Sequence, residues 1–255
     1  MPSLLFIHGA SCDSRIWSMG FMQHFQQHHY VCDAIDLPGH GRAAAAGSVE
    51  TFGMDDYVAA IRRASHDLPA PLILVGHSMG GYVAQKFILA GGEAAALVLM
   101  ASAPPQGMAR ELCNFVLRHP VLALRLDLSG GRGNRDARLR RVRGMLLTAH
   151  TPDAVVAAVA DQLQPESPLA MRQLGMESLP NLPISIPLMV QAGAQDRLIS
   201  LRAARTMARR YGTEVRVHPD MAHMLQVEPG WETVADEILQ FLRQHFGSHH
   251  AAAAG

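Results

Sequence analysis

The stretch LILVGHSMGGYVAQKF, residues 72–87, sets Ser78 between Gly76 and Gly80, after an apolar run and before a helix-length segment. Glycine costs conformational entropy and packs nothing, so a cluster at such a junction needs a reason. One reading is a strand-to-helix turn that happens to require positive φ. The other is a nucleophile elbow, in which a strained backbone lifts the serine Oγ clear of the sheet and small flanking residues let strand and helix nearly touch. The helix that follows leaves its first N–H groups without intrahelical partners, that of Met79 included, and such donors can face an oxyanion.

The second reading makes demands elsewhere. A serine hydroxyl is a poor nucleophile until a base takes its proton, and the base needs an orienting acid. Both should stand in loops after later strands, acid before histidine. PLMVQAGAQDRLI supplies Asp196 five residues past the run ending at Gln191, and VRVHPDMAHM supplies His223 after the run ending at Val217. His218, at the strand end, would point along the sheet edge, and Asp220 lies too close to His223 in sequence to orient it. The second oxyanion donor belongs to the loop after the first strand, where LLFIHGAS places Gly9 for close approach and the N–H of Ala10 as donor. His8 reads as a brace for that loop, since one base suffices.

These residues need a sheet to position them. Apolar runs of strand length at 4–7, 30–35, 72–75, 96–100, 188–191 and 214–217 alternate with helix-length segments at 15–28, 55–68, 80–90, 201–211 and 231–246. Near-continuous apolar runs are what parallel strands buried on both faces look like, and the alternation predicts a doubly wound, mostly parallel α/β sheet. Between about 103 and 186 the alternation stops. Four helical pieces are expected there, at 110–127, 135–149, 153–163 and 168–179, the third with Thr151 as N-cap and Pro152 at its first position. The expected organisation is a core of 1–103 and 187–247, an all-helical insertion of 104–186, and a low-complexity tail of 248–255.

Bulk properties narrow the function classes. The 255 residues carry no net formal charge, a pI near 7.3, 49% hydrophobic and only 17% charged residues, so neither disorder nor electrostatic recruitment of nucleic acid is expected. Three scattered cysteines suggest neither zinc nor a disulfide framework. No signal core or membrane span is read, and a cytoplasmic, monomeric or weakly dimeric protein without cofactor or metal is expected. GHGRAA at 39–44 matches a dinucleotide fingerprint only as a string, because Pro38 and the alanine run do not suit a phosphate-cradling helix. GGRGNR lacks the lysine and hydroxyl of a phosphate loop and reads as a connection between cap helices.

The pieces HGAS at His8–Ser11, DLPGHG at Asp36–Gly41, GHSMGG around Ser78, GAQDRLI around Asp196 and MAHM around His223 together resemble the α/β-hydrolase superfamily over essentially the whole chain. The resemblance implies a helical cap over the active site and cofactor-free cleavage of an ester or related acyl bond. Serine at position 78 departs from the haloalkane dehalogenases and epoxide hydrolases, which carry aspartate there. Gly9, where hydroxynitrile lyases carry threonine, and the absence of a cap lysine (Lys86 is the only lysine and lies on the elbow helix) depart from those enzymes. Met224, where carbon–carbon bond hydrolases usually carry tryptophan, departs from a third group. Carboxylesterase chemistry is the leading expectation, with lactonase, thioesterase or a slow-turnover ligand-binding protein as alternatives.

The partner expected is a small ester with an apolar acyl part, held by a pocket for which Gly9, Ser11, Trp17, Met224 and Arg135 are candidates. Methionines 79, 100, 108, 221 and 224 and an aromatic content of 5% suggest a pliable aliphatic pocket. Arg135 shares a helix face with Leu139, Val142 and Leu146 and could meet a carboxylate. The bland reading of the run RGNRDARLRRVRG is a solvated helix face.

Overall fold

The computed structural model describes residues 2–123 and 135–247. Six strands, β1 (Ser3–Ile7), β2 (Val31–Ile35), β3 (Leu72–His77), β4 (Ala96–Met100), β5 (Leu188–Gly193) and β6 (Val215–His218), form one sheet in the order β2-β1-β3-β4-β5-β6. Every pairing is parallel. The four inner strands are buried along their whole length, which explains their unbroken apolar sequences, whereas edge strands β2 and β6 keep exposed positions.

Alternation within the strands feeds two cores. Leu4 and Phe6 face a cluster with Trp17, Phe21 and Phe25, while Leu5 and Ile7 face one with Tyr57, Tyr82 and Met207. Helices α1 (Phe21–Gln27) and α10 (Trp231–Phe246) cover the first face; α2 (Met54–His66), α3 (Met79–Leu89) and α9 (Leu201–Arg210) cover the second. Because the chain leaves β1 in one direction toward β2 and in the other toward β3, the order reverses between β1 and β3. In open parallel sheets that switch point opens a crevice at the strands' carboxyl ends. The loop after β1 and the residue after β3 flank it.

The helix expected at 15–28 is two pieces. A 3₁₀ turn, Ser14–Ser18, precedes α1, and Gly20 breaks the path at φ 115°. A Cβ there would meet the Trp231 ring at 2.9 Å, so the turn takes glycine, and Trp17 in the piece before it is completely buried.

Between β4 and β5 lies the inserted all-helical cap, with α4 (Ala109–Arg118), α5 (Pro120–Ala123), α6 (Arg135–Leu146), α7 (Asp153–Gln162) and α8 (Pro168–Met176) among the described residues. The far end of the expected 110–127 helix, most of GGRGNR and the 248–255 tail lie outside the described residues. α7 is capped differently from expectation. Pro152 occupies the cap position, because the Thr151 hydroxyl is committed to the buried Glu228 carboxylate at 2.6 Å. The arginine run is not simply a solvated face either. Arg138 donates to the Ala160 carbonyl, and Arg143 donates to the Thr151 carbonyl and pairs with Asp153, so the run ties α6 to α7 while Arg140 stays exposed.

Candidate active site

Ser78 sits between β3 and α3 at φ 53°, ψ −121°, a conformation costing an L-residue about 1–3 kcal/mol. The strain is held by its surroundings. Its N–H donates to the Met100 carbonyl at 3.1 Å, and its carbonyl accepts from Gly81 and Ala103 at 3.1 and 3.0 Å. Gly76 allows the close crossing, since a Cβ there would lie 2.6 Å from the Gly81 Cα. The bend presents the hydroxyl to the crevice.

There the Ser78 Oγ lies 3.0 Å from His223 Nε2, and His223 Nδ1 donates to Asp196 Oδ2 at 2.8 Å. The other Asp196 oxygen accepts from the Leu198 and Ile199 amides at 2.8 and 2.9 Å, which fixes the carboxylate plane. Both side chains are almost wholly buried, at 1% and 3% exposure, so the pair interacts out of bulk water. His223 is held from behind. Its N–H and that of Met224 donate to the Leu146 carbonyl at 3.1 and 3.3 Å, and its own carbonyl accepts from His77 Nε2 at 2.9 Å.

The loop after β1 faces this chain. His8 Nδ1 donates to the Gly9 carbonyl at 2.8 Å, and His8 Nε2 accepts from the Leu37 amide at 3.0 Å. That carbonyl and the Ala10 N–H belong to one trans peptide plane and point in opposite directions. Fixing the carbonyl with His8 therefore aims the Ala10 N–H. Neither that group nor the Met79 N–H donates a hydrogen bond among the described residues. Gly9 is essential to the approach, because a Cβ would meet His77 Nδ1 at 2.9 Å and Ser78 Cβ at 3.0 Å.

Burial drives the His8 imidazole down to about 4 and, with the neighbouring His223, drives His77 down to about 3. In the unfolded chain both take a proton near 6.5, whereas the folded chain refuses it until far lower pH. Stability is thus fully present above about pH 6.5 and is lost as pH falls, by roughly 2 kcal/mol per histidine near pH 5. Urea unfolding followed between about pH 7 and about pH 5 is expected to show a steady decline; a flat profile contradicts it.

A cavity of about 330 Å³ opens over Ser78. Gly9, Ala10, Ser11, His77 and His223 form its floor, and Met224 borders it. Its walls come from the cap: Met108 and Leu112 on the α4 side, Met145 and Leu146 at the end of α6, Leu163, Met171 and Leu174 around α7 and α8. The lining is apolar in large part, and its methionines Met108, Met145, Met171 and Met224 suit varied aliphatic chains. Among the described residues no arginine or lysine lines it, and Glu166 is the one carboxylate that does.

Two sequence candidates stand elsewhere. Trp17 is fully buried against Phe6 and Phe21 beneath the sheet, because its large ring completes that core. Arg135, at the start of α6, is exposed and lies 3.9 Å from Asp161 on the cap surface. Met79 contributes only its backbone here, its side chain being packed among Leu5, Ile7 and Tyr82 on the far face. Met108 and Met224 reach the cavity; Met100 and Met221 stay in the core. His218 lies 3.7 Å from Glu237, away from Ser78.

Two buried carboxylates escaped the sequence reading. Glu228, with no exposed surface, accepts from the Thr148 amide and hydroxyl at 2.8 and 2.9 Å and from Thr151, joining the cap base to the His223 loop. Glu166 accepts from the Ser11 amide at 2.9 Å and the Tyr57 hydroxyl at 2.7 Å. Among the described residues no group of three or more His, Cys, Asp or Glu side chains could hold a metal ion, and no helix is long and apolar enough to cross a membrane.

Comparison with known proteins places this geometry in context. A family model described as alpha/beta hydrolase family matches residues 4–237. A monoacylglycerol lipase of Mycolicibacterium smegmatis is 26% identical over 89% of this chain and 86% of its own. A dihydrolipoyllysine-residue acetyltransferase component of the acetoin cleaving system from Pseudomonas putida is 28% identical over 95% of this chain, which spans 64% of that protein's length. Among solved structures, a thermophilic esterase from Thermogutta terrifontis superposes with TM-score 0.72 at 22% identity, covering 96% of this chain and 90% of that one.

Proposed function

This chain belongs to the alpha/beta hydrolase family, and on that premise we propose that it is a serine hydrolase cleaving small, neutral carboxylic esters with a flexible aliphatic acyl part. The observation that carries the reading is the hydrogen-bonded run Ser78–His223–Asp196 opening into an apolar cavity. His223 Nε2 takes the Ser78 proton as Oγ attacks the acyl carbon, and Asp196 holds the imidazole in the tautomer that leaves Nε2 free to accept. The carbonyl oxygen, now negative, turns toward the N–H groups of Ala10 and Met79; one such donor is worth about 2.7–4 kcal/mol in the transition state. The tetrahedral species collapses, the alcohol leaves with the proton from His223, and water repeats the sequence on the acyl-enzyme.

The acyl class follows from the lining. Each methylene moved from water into an apolar wall contributes about 0.8 kcal/mol, or about fourfold in kcat/KM, until the cavity is full. With no arginine or lysine among the described lining residues and one carboxylate there, an acyl chain ending in its own carboxylate finds no counter-charge among them. The resemblance to a monoacylglycerol lipase agrees with a neutral ester.

A panel of nitrophenyl esters tests this. The value of kcat/KM is expected to rise from acetate by about fourfold per methylene and then fall for chains longer than the cavity, with ω-carboxylate acyl groups at least about tenfold poorer than neutral ones of equal length. Lactones and thioesters of the same acyl length are expected to be slower. A single slow burst with product retained, on every ester, would instead indicate a ligand-binding protein.

A further inference from the structure

The cap does more to the site than wall it. Ser11 is a non-glycine residue in the left-handed region, at φ 59°, one residue after the amide proposed to bind the oxyanion. A side chain disfavours that conformation, so something must hold it. Three successive peptide planes run through the loop, and each is fixed by a hydrogen bond. His8 holds the Gly9 carbonyl, as described above. The next plane ends in the Ser11 N–H, which donates to Glu166 Oε2 at 2.9 Å. The third contains the Ser11 carbonyl, which accepts from the Gln164 N–H at 2.9 Å.

The last two anchors come from the cap, from the irregular connection between α7 and α8. The same connection grips the loop further on, where the Gln164 side-chain amide donates to the Cys12 carbonyl at 3.3 Å and Asp13 Oδ2 at 3.0 Å. Glu166 is itself held rigidly. Oε1 accepts from Tyr57 at 2.7 Å and from the Ser167 amide at 2.8 Å, and Oε2 pairs with His40 Nε2 at 3.2 Å. His40 is wholly buried, and its other ring nitrogen donates to the Pro38 carbonyl at 3.2 Å. Both ring nitrogens thus face acceptors, which favours the imidazolium. Burial by itself raises the Glu166 carboxyl, yet the bonds from His40, Tyr57 and Ser11 outweigh it and hold the group ionised.

We propose that Glu166 is a positioning residue: from the cap, it sets the Ala10–Ser11 peptide and through it the oxyanion-binding amide of Ala10. It touches no reacting atom in this role. The inference rests on the esterase reading of Ser78. It also goes past it, because it makes the cap part of the transition-state machinery rather than only a substrate wall.

The test compares Glu166→Ala, Glu166→Gln and the wild type on a short-chain nitrophenyl ester, together with inhibition by an alkyl boronic acid. The boronate forms a tetrahedral adduct on serine and reports on transition-state geometry, whereas KM reports on acyl binding. Misplacing one group by about 1 Å costs up to about 100-fold. Glu166→Ala is expected to lower kcat by about 10- to 100-fold and to weaken the boronic acid in proportion, with KM within about threefold. Glu166→Gln keeps an oxygen for the Ser11 N–H and is expected to recover most of both losses. Unchanged kcat, a loss confined to KM, or equal losses in Gln and Ala variants would overturn the proposal. Should Glu166→Ala fail to fold, Gln164→Ala carries the test, with a smaller parallel loss in kcat and boronate affinity expected and a loss in KM alone contradicting it. Failure of the esterase reading itself would look different, as wild-type turnover that survives Ser78→Ala.

Discussion

Replacing Ser78 by alanine is expected to lower kcat on a short-chain nitrophenyl ester by about 10⁶-fold, the cost seen when the nucleophile leaves a unit of this kind. The change deletes one oxygen that lies 3.0 Å from His223 Nε2 and packs against nothing that depends on it. The strained backbone stays, since the residue's carbonyl and N–H keep their bonds to Gly81, Ala103 and Met100. Melting temperature should therefore remain close to that of the wild type while turnover disappears. Activity and fold separate cleanly in this variant, which is why it is informative.

Asp196→Asn is expected to cost about 10⁴-fold in kcat, through orientation rather than loss of a contact. Asp196 Oδ1 accepts from both the Leu198 and Ile199 amides, so an asparagine must keep its oxygen there. Its NH₂ group then faces His223 Nδ1, where a donor now meets a donor. The imidazole escapes by moving its proton to Nε2, and in that tautomer it cannot accept the proton of Ser78. A kcat within tenfold of wild type would mean that this carboxylate does not set the tautomer.

What could be read from the string, and what could not, divides along one physical line. Positions at strand ends were legible: a parallel sheet brings its carboxyl edges together, so Ser78 after β3, Asp196 after β5 and His223 after β6 could be placed near one rim from order alone. The glycines around Ser78 were legible because close backbone crossing admits nothing larger. The insertion was legible through the loss of strand–helix alternation. Glu166 was not, because LQPESP belongs to an irregular connection with no periodicity, and its partners Ser11, His40 and Tyr57 lie more than a hundred residues away. Local neighbours make Thr151 look like a helix cap, but Glu228, distant in sequence, takes its hydroxyl. Arg135 shared a face with apolar residues, yet its place at the first turn of α6 leaves it on the surface. Trp17 went to the core for a reason only the packing shows, the aromatic cluster of Phe6, Phe21 and Phe25.

The cap emerges as the element that joins these scales. Its α6 end holds the His223 loop through the Leu146 carbonyl, its base meets that loop again through Glu228, and its α7–α8 connection holds the loop after β1 through Gln164 and Glu166. The arginines of α6 do not serve as a single charged face: Arg135 and Arg140 are exposed, while Arg138 and Arg143 make bonds that fasten α6 to α7.

The most direct measurement is mass spectrometry of the protein after reaction with a fluorophosphonate, with the modified peptide sequenced. One phosphonyl group per chain, on Ser78 and dependent on His223, is the result expected. Label on another residue, or none on a preparation that still turns over esters, would contradict the assignment of this serine as the attacking group.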